Sequence, residues 1–215
     1  IIMSEKNSRR TFIKNTSLGL AFSTIQASFG FSPLQQNNDQ IGHGDFRFSL
    51  DKNWGVQNPN LYPVDHCHEM VIDSKNRIIL TTTDPKNNIL IYDRSGKILD
   101  SWGINYNGAH GLTIFDEGGE EFLYITDPDS HKICKTTLKG KKILELSFPK
   151  EISSYTDSNL FKPTETAISP NGDIYVADGY GLDYIIQYDY KGNYIRHFGG
   201  LSLIHISEPT RQVPI

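Results

Sequence analysis

Two histidines stand in contexts that suit metal chemistry. His68 lies in the run His66-Cys67-His68-Glu69, and His110 opens the triplet His110-Gly111-Leu112. Neutral imidazole is the usual zinc ligand, and catalytic zinc commonly takes three protein ligands plus one open position. Three segments of the chain superpose in sequence, and the superposition puts His68, His110 and Thr164 at equivalent places. Two histidines on neighbouring repeats, aimed at one axis, could share a metal, although two ligands do not complete a site. Tyr180 stands in the short motif Asp178-Gly179-Tyr180. Plain structural roles compete with each of these. His110 could be a strand-start histidine bonded to a loop, and His68 one of a solvated cluster with His66 and Glu69. Tyr180 could hold a rim through its hydroxyl, as half-buried tyrosines often do. Glu165 follows Thr164 and could face the same axis. His43, His131 and His197 have no partner pattern and are expected at the surface.

The elements that must position these residues are strands. The segments are 67–103, 109–148 and 163–200, and each has the same grammar. An apolar strand opens it (MVI, LTI, TAI), and a polar turn follows (DSKN, DEGG, SPNG). A second strand ends at Asp84, Asp127 or Asp178. A third follows, and a turn carrying Gly96, Gly140 or Gly192 leads to a fourth. Alternating side chains, β-branched residues and Gly/Asn/Asp turns agree at each step. Four strands in about 40–50 residues is the length of a propeller blade. A β-sandwich has similar strand spacing but needs no likeness between successive hairpin pairs. The expected fold is therefore all-β, a β-propeller of four-stranded blades. Gly44 to Gly55 ends like a fourth strand and is a candidate for the strand that closes a ring. The recurrence of Asp84, Asp127 and Asp178 points to a turn role, with the carboxylates accepting backbone N–H bonds. Asp73, Asp93, Asp189 and Lys75 fall in turns and are expected to be solvated.

The composition agrees with a turn-rich globular chain. Of 215 residues, 37% are hydrophobic and 21% charged, with 18 Gly and 10 Pro. The formal net charge of -4 gives no basic face for a nucleic acid. Cys67 and Cys134 are the two cysteines. They are read as buried free thiols, with one disulfide as the alternative.

Residues 1–40 read as an export signal and linker. "SRRTFIK", Ser8 to Lys14, precedes a short apolar stretch and small residues near Ala27, and resembles a twin-arginine signal. That resemblance implies a bacterial protein that is periplasmic or secreted, and that crosses the membrane already folded. The apolar stretch is too short and too polar to span a bilayer. Residues 41–200 are the partial propeller. In residues 201–215, "LSLIHISEPTR" resembles the reading-frame translation of a sequencing-library adapter, so His205 and Glu208 are set aside as ligand and acid. On this reading the chain holds three blades of a longer ring, and it is expected to be inactive by itself.

The blade grammar, with "PNGDIYVADGYG" in the third repeat, resembles the NHL-repeat six-bladed propellers. "AHGLTI" and the segment from Phe161 to Gly199 resemble the peptidyl-α-hydroxyglycine α-amidating lyases, which are propellers of that type. The resemblance implies His110 as one of three zinc ligands drawn from three blades, and Tyr180 at the reacting centre. It implies a structural calcium held by the carbonyl of Leu112, with Met70 the equivalent on the first blade. It also implies cleavage of a carbon–nitrogen bond to give an amide and glyoxylate. The chain departs from the family at three points. No Arg stands near Thr83, where the family carries one. Lys162 and Gly181 replace a cysteine pair around the Tyr motif. His68 is an additional histidine. A peptide carboxylate would lack its Arg partner. The other function class is a non-catalytic propeller that binds a peptide, glycan or protein. A calcium-dependent lactonase would need acidic ligands at the channel, where only Glu69 and Glu165 are candidates.

Overall fold

The computed structural model describes residues 40–55 and 57–200. The export signal and the adapter-like tail of the sequence reading lie outside the described residues. The chain divides after Leu50 into two units. In the first, β1 (Gln40–His43) pairs antiparallel with β2 (Phe46–Ser49). The segment read as a ring-closing strand thus forms a hairpin, because Gly44 at φ 60 lets the chain reverse within two residues. Ile41, Phe46, Phe48 and Leu50 of this unit are exposed.

The second unit holds three four-stranded sheets, each following chain order. The first comprises β3 (Cys67–Ile72), β4 (Ile78–Thr82), β5 (Ile89–Tyr92) and β6 (Ile98–Trp102). The second comprises β7 (Leu112–Asp116), β8 (Glu121–Asp127), β9 (Lys132–Thr137) and β10 (Lys142–Leu146). The third comprises β11 (Glu165–Ile168), β12 (Ile174–Ala177), β13 (Tyr184–Tyr188) and β14 (Tyr194–Gly199). All ladders are antiparallel, and each strand pairs with its sequence neighbours. These are the three blades of the sequence repeat, a meander without the crossed connections of a sandwich. Gly96, Gly140 and Gly192 take φ of 86°, 79° and 87°, the left-handed backbone that the turn into each fourth strand requires.

The core lies between blades. Ile79 and Ile91 of blade 1 pack against Leu112, Leu123, Ile125 and Cys134 of blade 2. Phe122, Tyr124 and Ile133, on the other face of blade 2, pack against Ile174, Val176 and Ile186 of blade 3. Alternation along the strands supplies both faces, since successive side chains point opposite ways. Buried polar groups secure the seams. Asn88 is fully buried, donates to the carbonyls of Thr82 and Tyr106, and accepts from the N–H groups of Ile104 and Tyr106. It thereby fixes the link from blade 1 into the segment leading to His110. Glu121 accepts from the N–H and hydroxyl of Ser74 on the neighbouring blade.

Two expectations need correction. Asp73 is not solvated: it is 4% exposed, pairs with Arg77 at 2.6 Å, and accepts from the N–H groups of Lys75 and Arg77. The DSKN turn folds around its carboxylate, and the guanidinium compensates its burial. Cys67 is free but exposed, because it opens an inner strand at the sheet end, whereas Cys134 is free and buried. Residues 147–164, which carry no strand, are also more than a connector. They place Ile152, Tyr155 and Phe161 in the blade 2–3 core and include a 3-10 turn, Ser158–Leu160, capped by Asp157. Among the described residues no helix is long and apolar enough to cross a membrane.

Leu123 is fully buried between blades 1 and 2. Leu123→Ala is expected to cost about 2–5 kcal/mol in urea unfolding, and Glu121→Ala, on an exposed seam, only about 0.5–1.5 kcal/mol. Equal losses would show that the inter-blade core does not dominate stability.

Candidate functional site

The three blades meet at their first strands, with β3 against β7 and β7 against β11. The residue preceding or opening each strand is held by its own second strand. The N–H of His110 donates to the carbonyl of Thr126, and that of Thr164 to the carbonyl of Ala177. The Gly111 N–H donates to the Thr126 hydroxyl at 2.7 Å, and that hydroxyl donates on to the Thr164 carbonyl at 3.0 Å. This brings the backbones of blades 2 and 3 together at Gly111. A Cβ there would lie 2.8 Å from the Thr126 hydroxyl and closer still to the Thr164 carbonyl. Only glycine permits the approach.

His110 is oriented by that same carbonyl. Its Nδ1 lies 3.0 Å from the Thr164 oxygen, and its Nε2 lies 3.2 Å from the Tyr180 hydroxyl. A carbonyl can only accept, so Nδ1 carries a proton, and in the neutral ring the Nε2 lone pair accepts from Tyr180. A backbone carbonyl fixing the far nitrogen is also how protein metal sites orient a ligating histidine. The Tyr180 ring meets the His110 ring edge-on at 5.4 Å and is 63% exposed. His68 stacks on His110 with centroids 4.3 Å apart and ring planes 26° from parallel, and lies 6.4 Å from His66. Desolvation, then the charges of His110 and His66, hold the His68 imidazole below its ordinary pKa. The two rings meet by their faces, while ligation uses the ring edge. Among the described residues no group of three or more His, Cys, Asp or Glu is arranged to hold a metal.

One strand position along, two carboxyls meet. Glu69 accepts from the Leu112 N–H at 2.8 Å and lies beside the Glu165 carboxyl. Glu165 in turn accepts from the Thr166 N–H and the Thr113 hydroxyl. Burial, then the neighbouring Glu69 carboxyl, push the Glu165 carboxyl up to about 7.

The sequence-predicted residues therefore fall in two groups. His68, His110 and Tyr180 are brought together. Met70 and Leu112 lie on adjacent inner strands, with the Glu69 carboxylate on the Leu112 backbone. Glu165, singled out in the sequence only for its place beside Thr164, joins Glu69. His131 is not a free surface histidine: its Nδ1 lies 2.8 Å from the Phe161 carbonyl. His197 is exposed and contacts Tyr194 and Tyr184. The roles of Thr126 and of the Thr164 carbonyl were invisible in sequence, because a backbone oxygen carries no residue-type signal.

The Glu165 carboxyl is raised from 4.5, so the folded state binds its proton more tightly than the unfolded chain. That stabilisation is full below about 4.5 and is lost as pH rises through about 7. Glu165→Gln keeps a donor toward Glu69 and removes the titration. Urea midpoints of the variant are expected to lack the decline with rising pH that the wild type shows across that window; parallel pH curves would refute a raised Glu165 carboxyl.

No family model matches the chain. It is 37% identical over 106 residues to a probable peptidyl-alpha-hydroxyglycine alpha-amidating lyase of Caenorhabditis elegans, covering 49% of this chain and 29% of the relative. Over 109 residues it is 34% identical to peptidyl-alpha-hydroxyglycine alpha-amidating lyase 1 of Drosophila melanogaster, covering 49% of this chain and 19% of the relative. It is 23% identical over 166 residues to NHL repeat-containing protein 3 of Mus musculus, covering 74% of this chain and 46% of that protein. The chain thus spans well under half of the two lyases it matches. A solved streptogramin B lyase superposes with a TM-score of 0.50 at 20% identity, over 63% of this chain and 41% of that one. Fold and relatives together make this chain a β-propeller protein with sequence similarity to the peptidyl-α-hydroxyglycine α-amidating lyases.

Proposed function

We propose that the chain carries part of a metal-dependent lyase site of the amidating-lyase type, in an exported protein that acts on a peptide or small molecule ending in an α-hydroxyglycine. The observation that supports this reading most is the state of His110. Its Nδ1 proton is committed to the Thr164 carbonyl, and its Nε2 lone pair faces the Tyr180 hydroxyl. That tautomer suits a metal ligand. His110 is the residue that would hold a zinc ion, at Nε2; His68 would join it only by turning its ring edge out of the stack, and further ligands are needed to complete the usual set. Zinc bound there would lower the pKa of a bound hydroxyl and polarise it. Tyr180 then has the reach to hold or return a proton at its hydroxyl oxygen, beside whatever occupies the Nε2 position. In the overall change the hydroxyl proton leaves, the carbon–nitrogen bond breaks, and nitrogen gains a proton, giving amide and glyoxylate. Oxygen ligands suit a structural calcium. The Met70 and Leu112 carbonyls are proposed to supply it, with the Glu69 carboxylate alongside.

One observation favours a second reading, a propeller that binds a partner without chemistry. Thr83 stands where the family's Arg would anchor a substrate carboxylate. Its N–H donates to the His66 carbonyl, and its buried hydroxyl has no partner among the described residues.

The test is zinc calorimetry and glyoxylate release, on the longest protein the gene encodes. His110→Ala is expected to weaken zinc binding at least about tenfold. Tyr180→Phe should keep zinc but slow glyoxylate release about 10²-fold, the lower range for losing a proton-transfer group. Folded protein that takes no zinc and is indifferent to His110→Ala would leave the binding propeller as the reading.

A further inference from the structure

The aspartate that ends each second strand has a different task in the third blade. Asp84 accepts from the N–H of Lys86, and Asp127 from the N–H groups of Asp129 and Ser130 and the Ser130 hydroxyl. Those bonds close local turns. Asp178 is as buried as Asp127, but its bonds also reach across the chain. One oxygen accepts from the Lys162 N–H at 2.6 Å. The other accepts from the Leu182 N–H at 2.6 Å and from the buried Tyr155 hydroxyl at 2.5 Å. The Lys162 carbonyl in turn accepts from the Tyr180 N–H, at 3.4 Å.

We propose that Asp178 is a positioning residue for the His110–Tyr180 pair, setting both partners through one buried carboxylate. Its bond to Lys162 fixes the backbone two residues before Thr164, whose carbonyl holds the His110 Nδ1 proton. Its bond to Leu182 closes the turn over Tyr180, whose hydroxyl meets Nε2. Tyr155 anchors the carboxylate from the core, where its ring packs edge-on against Phe161. Both ends of the imidazole are thus referred to one group, so the tautomer and the tyrosine contact are set together. Charge-assisted bonds to backbone N–H groups are strong enough to hold such a turn. An amide in its place has one acceptor and must turn its NH₂ toward donors.

The inference rests on His110 and Tyr180 being the working pair, but its test needs no activity. Long-range ¹⁵N–¹H correlation of the His110 ring reads the tautomer directly, at a pH where the imidazole is neutral. Wild type is expected to show the Nδ1–H form alone. Asp178→Asn should convert it to a mixture of both tautomers. Tyr155→Phe, which removes a single donor, should give a smaller admixture and covers the case in which Asp178→Asn does not fold. Asp127→Asn, at the equivalent buried position of blade 2, should leave the His110 signal unchanged even if it lowers the melting temperature. An unchanged Nδ1–H signal in a folded Asp178→Asn, or in Tyr155→Phe should the first not fold, overturns the proposal. So does an equal change in Asp127→Asn. Failure of zinc binding or of glyoxylate release would overturn the lyase reading and leave this result standing.

Discussion

The Thr164 carbonyl oxygen accepts from two donors of the neighbouring blade, the His110 Nδ1–H and the Thr126 hydroxyl, each at 3.0 Å. The site depends on that oxygen being where it is. It can reach both donors because Gly111 has no side chain to hold the strands apart. It cannot drift, because the Thr164 N–H is tied to Ala177 within its own sheet. A histidine that might have taken either tautomer is thereby given one, and its second nitrogen is turned toward Tyr180. The chemistry available at Nε2 follows from a backbone constraint rather than from any charged neighbour.

The blades are brought to this meeting by burial on both faces of blade 2. Leu123 and Ile125 face one neighbour, and Phe122 and Tyr124 face the other. Apolar area is non-directional and sets proximity. Directional bonds across the inner strands then set register: Thr113 to Thr166, Thr113 to Glu165, and the Leu112 N–H to Glu69. Burial and the neighbouring Glu69 push the Glu165 carboxyl up in this half-buried gap.

Much of this was legible in the chain. The three-fold recurrence of apolar strand, polar turn and turn glycine gave the blades, because period-two alternation and positive-φ turns leave strong marks on residue type. His110 stood out because it falls at the blade position equivalent to His68, and Tyr180 because its motif resembles that of a known family. The pairing of Gln40–His43 with Phe46–Ser49 was not legible, since a strand's partner is not written in the strand. Asp73 looked like an ordinary turn carboxylate, because nothing local shows that Arg77 folds back over it. Ile152, Tyr155 and Phe161 lie in a segment with neither helical nor strand period. Their apolar spacing between Pro149 and Pro163 was the available hint that the segment enters the core. Asp178 was legible only as one of a repeating set. Its long-range bonds become visible when residues 155 and 162 are brought beside it.

The account turns on a metal taking the Nε2 of His110 from the Tyr180 hydroxyl, and the most direct measurement is anomalous diffraction at the zinc edge from crystals grown with zinc. The account expects a peak within bonding distance of His110 Nε2, the Nδ1 bond to Thr164 intact and the Tyr180 hydroxyl displaced from the nitrogen but beside the ion. Crystals whose zinc lies elsewhere, with Nε2 still bonded to Tyr180, would contradict it.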